Sequence, residues 1–148
     1  MTTVSNEIVK LLASDGEENN RLGAAVTIGD DVAIAADLCG NAYVFKTTDS
    51  GATWTETQKF TTTNNSNIRF SSCNISGNLA ILSKQSGDGQ GAYIFKTTDG
   101  GSTWTQKKKF TSSTNYYGRY SAISGNLAIV SNYNDEEVEI YKTTDDGD

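Results

Sequence analysis

An all-β fold built from three repeated, four-stranded units is predicted by three observations. The chain repeats itself: Ala42–Trp54 reads AYVFKTTDSGATW and Ala92–Trp104 reads AYIFKTTDGGSTW, identical at ten of 13 positions. A third copy, from Val138 to Asp148, reads VEIYKTTDDGD. A second block repeats in step: Ile75–Ile81 and Ile123–Ile129 are both ISGNLAI, 48 residues apart, and Ile28–Ile34 reads IGDDVAI. Short alternating or β-branched runs are bounded by Gly, Asn, Asp and Thr, and no stretch keeps a helical period of useful length. A period of roughly 40–50 residues with four strands per unit is the signature of a β-propeller blade.

Each unit reads as strands A to D. Strand A falls near 24–28, 71–75 and 120–123, and strand B at 32–36, 79–83 and 127–131. The turn between them is expected at Gly29-Asp30, Gly77-Asn78 and Gly125-Asn126, pairs that favour a tight hairpin. Strand C is expected at 42–46, 92–96 and 138–142, and strand D at 53–60 and 103–110. Strand C is apolar on consecutive residues, as in Tyr43-Val44-Phe45. Both of its faces are therefore expected to be buried, as in sheets stacked face to face.

The hairpin between C and D carries Thr47-x-Asp49-x-Gly51-x-Thr53-Trp54, and again Thr97-x-Asp99-x-Gly101-x-Thr103-Trp104. This resembles the Asp-box, or BNR, repeat. The third copy retains Asp145 and Gly147. The resemblance implies a structural hairpin on a propeller blade and no chemistry of its own. The physical roles fit: Asp accepts backbone N–H bonds in the turn, Gly supplies a positive φ, and Trp packs under the loop. A looser resemblance to FG-GAP-type propeller repeats runs through Lys10-Leu-Leu-Ala-Ser-Asp-Gly, Arg21-Leu22-Gly23, Val32-Ala-Ile-Ala-Ala and Ala42-Tyr-Val-Phe. The calcium loop of many such repeats is absent. Ser86-Gly87-Asp88-Gly89 is the nearest stretch and offers one carboxylate. Calcium requires about six or more oxygen ligands, so no metal or other cofactor is expected.

The order of elements reads D-ABCD-ABCD-ABC. Asn6–Ser14 is read as a D strand, because Leu12 precedes Arg21 by the same nine residues that separate Phe60 from Arg69 and Phe110 from Arg119. The blade units then span about 21–61, 68–111 and 118–148, the third lacking its own outer strand. Three blades would leave apolar end faces open. The expected assembly is a homodimer forming one six-bladed propeller, strand 6–14 of each chain completing the third blade of the other. The alternatives are another oligomer, or a monomeric or excised propeller fragment.

Composition narrows the function. The net charge is −6 and the pI near 4.6, which argues against nucleic acid and anionic membranes as partners. There is no His, so a Ser–His–Asp triad and His-ligated metal are excluded within one chain. No secretory signal is legible at the N-terminus and no apolar run reaches membrane-spanning length, so a soluble protein of unassigned compartment is expected. Cys39 and Cys73 form no metal-ligand pattern, and a bridge between them stays open. The D–A and B–C loops share one end of the blades, the end where a propeller ligand is sought. The three arginines, Arg21, Arg69 and Arg119, each stand near the start of a strand A. Together they suit an anion or acidic sugar. Tyr116, Tyr117 and Tyr133, with Asn132, could stack on and hydrogen-bond a sugar. Asp37 and the run Asp135-Glu136-Glu137 are the acids a glycosidase could use, but no tyrosine–glutamate constellation of a sialidase is evident. The expected function is a non-enzymatic binding module, lectin-like or adhesive, for a glycan or small anionic ligand. The alternatives are a propeller scaffold, natural or engineered, without a dedicated ligand, and a sialidase-like hydrolase.

Overall fold

The computed structural model describes residues 7–61, 70–85 and 89–143. It contains three antiparallel meander sheets. The first consists of β1 (Ala25–Gly29), β2 (Val32–Ala36), β3 (Asn41–Lys46) and β4 (Thr55–Thr61). The second repeats the plan with β5 (Phe70–Ser76), β6 (Leu79–Lys84), β7 (Gly91–Lys96) and β8 (Thr105–Phe110). The third has three strands among the described residues: β9 (Tyr117–Ser124), β10 (Leu127–Asn132) and β11 (Glu137–Lys142). These are the blades of a β-propeller.

The blades stack face to face, which explains the consecutive apolar residues of the middle strands. Every residue of β2 and of β6 is buried. One face of β2 and β3 (Val32, Ile34, Ala42, Val44) packs against Ala80, Leu82 and Phe95 of the second sheet. The second sheet turns Leu79, Ile81, Ala92 and Ile94 toward Ile123, Ala128 and Val130 of the third. Outer strands lock neighbours together through aromatic stacks: Phe60 lies on Phe95 with ring centroids 4.3 Å apart, and Phe110 on Tyr141 at 3.8 Å. Each such stack adds roughly 0.5–1.5 kcal/mol to the apolar burial. Inner strands are tied by side chains. Asn74 Oδ1 accepts from the Ile123 N–H at 2.9 Å, Ser76 Oγ from the Gly125 N–H at 2.9 Å, and Ser83 Oγ meets Ser121 Oγ at 2.6 Å.

Three local expectations are corrected. The first A–B turn is Asp30-Asp31, since Gly29 pairs with Val32 across the hairpin; Gly77 and Gly125 do occupy the other two turns, each at φ 55. Strand A of the third blade begins at Tyr117 rather than Tyr120, because a bulge near Ser131 lets the ladder continue to the Asn132–Tyr117 pair. Within the single chain Glu7–Ser14, the described part of the segment read as an N-terminal strand, forms no strand ladder. It lies on the first sheet instead, with Leu11 and Ala13 against Ala33, Ala35, Tyr43 and Phe45. Leu12 points to solvent at 76% exposure, so the count of nine residues to Arg21 misplaces the register by one. Lys10-Leu11 is the counterpart of Lys59-Phe60 and Lys109-Phe110. A one-residue slip exchanges the faces of a strand, and burial of Leu11 decides which face turns inward.

Candidate functional site

The two complete hairpin motifs build the same turn. Thr47 Oγ1 accepts from the Gly51 N–H at 2.9 Å and donates to Asp49 Oδ1 at 2.8 Å. Asp49 also accepts from the Thr53 N–H at 2.8 Å and from Thr53 Oγ1 at 2.6 Å. Gly51 sits at φ 92, and its carbonyl accepts from Trp54 Nε1 at 3.1 Å. Thr97, Asp99, Gly101, Thr103 and Trp104 reproduce these bonds. The hydroxyl and amide of the second threonine, then the first threonine's hydroxyl, hold each carboxyl down at about 2. Asp49 and Asp99 are thus fully engaged in turn structure. Asp145 and Gly147 lie outside the described residues.

The opposite end carries the D–A and B–C loops. Hydrogen bonds between these loops join them: the Leu38 N–H donates to the Asn20 carbonyl at 2.9 Å, and Thr114 Oγ1 to Asn132 Oδ1 at 3.0 Å. Of the residues assigned to ligand binding from sequence, Arg21 is exposed in the first loop at φ 53. Arg69 lies outside the described residues. Tyr117 and Asn132 are corrected. Tyr117, 1% exposed, occupies the core position of Phe70 in the preceding blade. Its hydroxyl donates to Glu139 Oε2 at 2.7 Å and lies 2.9 Å from the Tyr141 hydroxyl. Burial, then these two partners, push its pKa above the ordinary tyrosine value. Asn132 is buried and braces the loop, its amide donating to Asp135 at 2.7 Å.

Arg119, Tyr116 and Tyr133 do come together at the surface of the third blade, and Tyr120 joins them. The Arg119 guanidinium carbon stands 5.1 Å from the Tyr133 ring centroid and 5.3 Å from that of Tyr120. Tyr116 meets Tyr133 edge-to-face at 6.4 Å. Cation–π contacts of this exposed kind contribute about 0.5–1 kcal/mol each. Tyr116 holds φ 64, a left-handed conformation that costs a side-chain-bearing residue roughly 1–2 kcal/mol. The adjacency of Arg119 and Tyr120 in sequence was the available signal for the fourth member.

The acids considered for hydrolysis are accounted for. Asp37 is buried, its carboxylate accepting from the Cys39 N–H, the Asn41 N–H and the Asn41 amide, each at 2.8 Å. Asp135, Glu136 and Glu137 are exposed around a single 3₁₀ turn, Glu136 at φ 56. Among the described residues no group of three or more Cys, Asp or Glu is placed to hold a metal ion. Nor, among them, is any helix long and apolar enough to cross a membrane. Cys39 and Cys73 are free thiols; burial pushes the Cys73 thiol up to about 12. A groove that the sequence did not signal opens at the hairpin end between the first two blades, lined by Asp30, Asp31, Ile75, Asn78 and Trp104.

No known family model matches the chain. No curated protein matches it either. Among solved structures it is similar to one described as YCF48 bound to D1 peptide, with a TM-score of 0.52 and 23% identity. The alignment covers 87% of this chain and 38% of that one. That neighbour is a β-propeller. The likeness extends to the fold: repeated antiparallel sheets stacked as blades. The chain spans well under half of the neighbour's length.

Proposed function

We propose that the chain is a non-enzymatic binding module, lectin-like or adhesive, built on Asp-box blades, two copies of which complete one ring of six. The observation that carries the binding reading is the cluster of the exposed Tyr116, Tyr120 and Tyr133 around the half-buried Arg119 on the loop end of the third blade. Tyrosine faces offer an apolar platform for the C–H face of a sugar ring, with hydroxyls at the rim. The guanidinium beside them pairs with a carboxylate in a fixed, forked geometry. An acidic glycan or small anion matches both. A reading without catalysis is supported by Asp37, Asp49 and Asp99, whose carboxylates are occupied by loop and turn hydrogen bonds.

A peptide ligand is the second reading, because the structural neighbour is described with a bound peptide. A glycan array, followed by titration of its best hit against Arg119→Ala and Tyr133→Ala, tests the proposal. Binding of acidic glycans weakened at least roughly tenfold by either change is the expected result, the loss of a charge-assisted or stacking contact. A blank array discards the lectin-like reading and leaves the scaffold and peptide readings. Turnover of fluorogenic sialosides or other glycosides would discard the non-enzymatic one.

A further inference from the structure

The third blade presents, without cover, the surface that the second blade buries. Leu127, Ile129, Val138 and Ile140 are 45, 39, 65 and 69% exposed, whereas their repeat counterparts Leu79, Ile81, Ala92 and Ile94 are 6, 0, 0 and 7% exposed. The first blade presents the complementary half of the same junction. Its Ala33, Ala35, Tyr43 and Phe45 correspond to Ala80, Leu82, Tyr93 and Phe95, which receive the first blade inside the chain. Within one chain Leu11, Ala13, Leu22 and Trp54 cover these four residues to 8, 9, 1 and 2% exposure, and Val26 and Ile28 of β1 remain exposed beside them.

The edge strands add a charge argument. In each complete blade, strand D sets a lysine over a strand C tyrosine: Lys59 is 5.3 Å from the Tyr43 ring and Lys109 is 5.2 Å from the Tyr93 ring. These are cross-strand partners, as are Phe60 with Ala42 and Phe110 with Ala92. In β11 the tyrosine position is taken by Glu139. Tyr117 and Tyr141 hydrogen-bond this carboxylate, and neither hydroxyl brings a positive charge to it. The lysine that continues the series is Lys10.

We infer that a second copy of this chain docks on this edge and face, the segment Glu7–Leu11 of one copy pairing antiparallel with β11 of the other. Lys10 stands opposite Glu139, and Leu11 stands opposite Val138 while keeping its place on Phe45 of its own first blade. The inference rests on the reading of the chain as half of a ring and supplies the contact that closes it. Leu11 then serves at this junction as Phe60 and Phe110 serve at the internal ones. Head-to-tail contacts that close in this way leave no open strand edge.

Light scattering on the unmodified chain, Lys10→Glu and Ile140→Glu tests it, with circular dichroism confirming that each variant is folded. Ile140 is exposed, so its replacement leaves the single-chain core intact. The unmodified chain is expected at twice 15.9 kDa, and each variant at a dissociation constant raised at least roughly tenfold. Carbodiimide coupling of mixed isotope-labelled and unlabelled chains should yield a Lys10–Glu139 bond between a labelled and an unlabelled chain. A pair indifferent to both substitutions, or one lacking that cross-link, overturns this contact while the ring reading stands. A monomeric unmodified chain overturns both.

Discussion

Asp49 and Asp99 illustrate how much of a turn one carboxylate can hold. Each accepts both the amide and the hydroxyl of the threonine four residues on, and each is depressed from 3.8 to about 2. A carboxyl whose folded value is lowered binds its proton more readily in the unfolded chain. Its contribution is therefore complete above about pH 4 and is lost as pH falls toward about 2. Asp99→Asn should lower stability at neutral pH and flatten the acid transition in that window, read by circular dichroism during acid titration. An acid profile unchanged by the substitution would show that the hairpin carboxylates do not set acid stability. At this scale the sequence was informative about hairpin residues and misleading about Tyr117 and Asn132. The hairpin is local, its bonds spanning two to four residues. Tyr117 is placed by a bulge in the pairing of its own strand β9 with β10, and a count along the chain has no access to that.

Between elements, the decisive contacts link one blade's turn to its neighbour's strand. Gly101 has φ 89, and a Cβ there would fall 2.3 Å from Val32 Cγ2 of the first blade. Gly51, its counterpart at φ 92, would meet only Trp54 Nε1 at 3.9 Å. Both positions strain a side chain by roughly 1–2 kcal/mol through the backbone alone. Gly101→Ala adds a collision inside a packed junction, costing about 1–3 kcal/mol more. Urea unfolding of the two variants should rank Gly101→Ala as clearly the less stable; equal midpoints would contradict the packing. The same asymmetry separates the tryptophans. Trp104 is buried, its backbone N–H and carbonyl held by Gln58 of β4 at 2.6 and 3.0 Å, while Trp54 is half-buried beside the N-terminal segment. Identical motifs thus reach different burial because one has a blade before it.

For the molecule as a whole, the covered and uncovered faces decide what is complete. Two blade junctions are formed within the chain; beyond them Leu127, Ile129, Val138 and Ile140 of the third blade face outward, while Ala33, Ala35, Tyr43 and Phe45 of the first are covered by Leu11, Ala13, Leu22 and Trp54. If two copies close a third junction, folded structure and association are linked, and mass action raises the thermal midpoint with concentration. Melts over a roughly hundredfold concentration range should show a rising midpoint for the unmodified chain and a constant one for Ile140→Glu. A constant midpoint for both would mean that the end faces stay open. Binding at Tyr116, Arg119 and Tyr133 is a separate matter, since that cluster lies within one blade.

Repeat spacing, strand alternation and the Thr-x-Asp-x-Gly-x-Thr-Trp hairpins were legible in the amino-acid sequence, because each depends on residues a few positions apart. Asp49, Gly51 and Trp54 could be given their roles from the resemblance to a known repeat, and Tyr43-Val44-Phe45 read as a strand buried on both faces. Only the tertiary structure decided which side chains of the loops are core and which are surface. It withdrew Tyr117 and Asn132 into the interior, gathered Arg119 with Tyr120 and Tyr133, and set Leu11 rather than Leu12 against the first blade. The reason is common to all three. A bulge or one extra loop residue exchanges the faces of a strand, and the choice between faces rests on apolar burial against a neighbouring blade about 48 residues away in sequence.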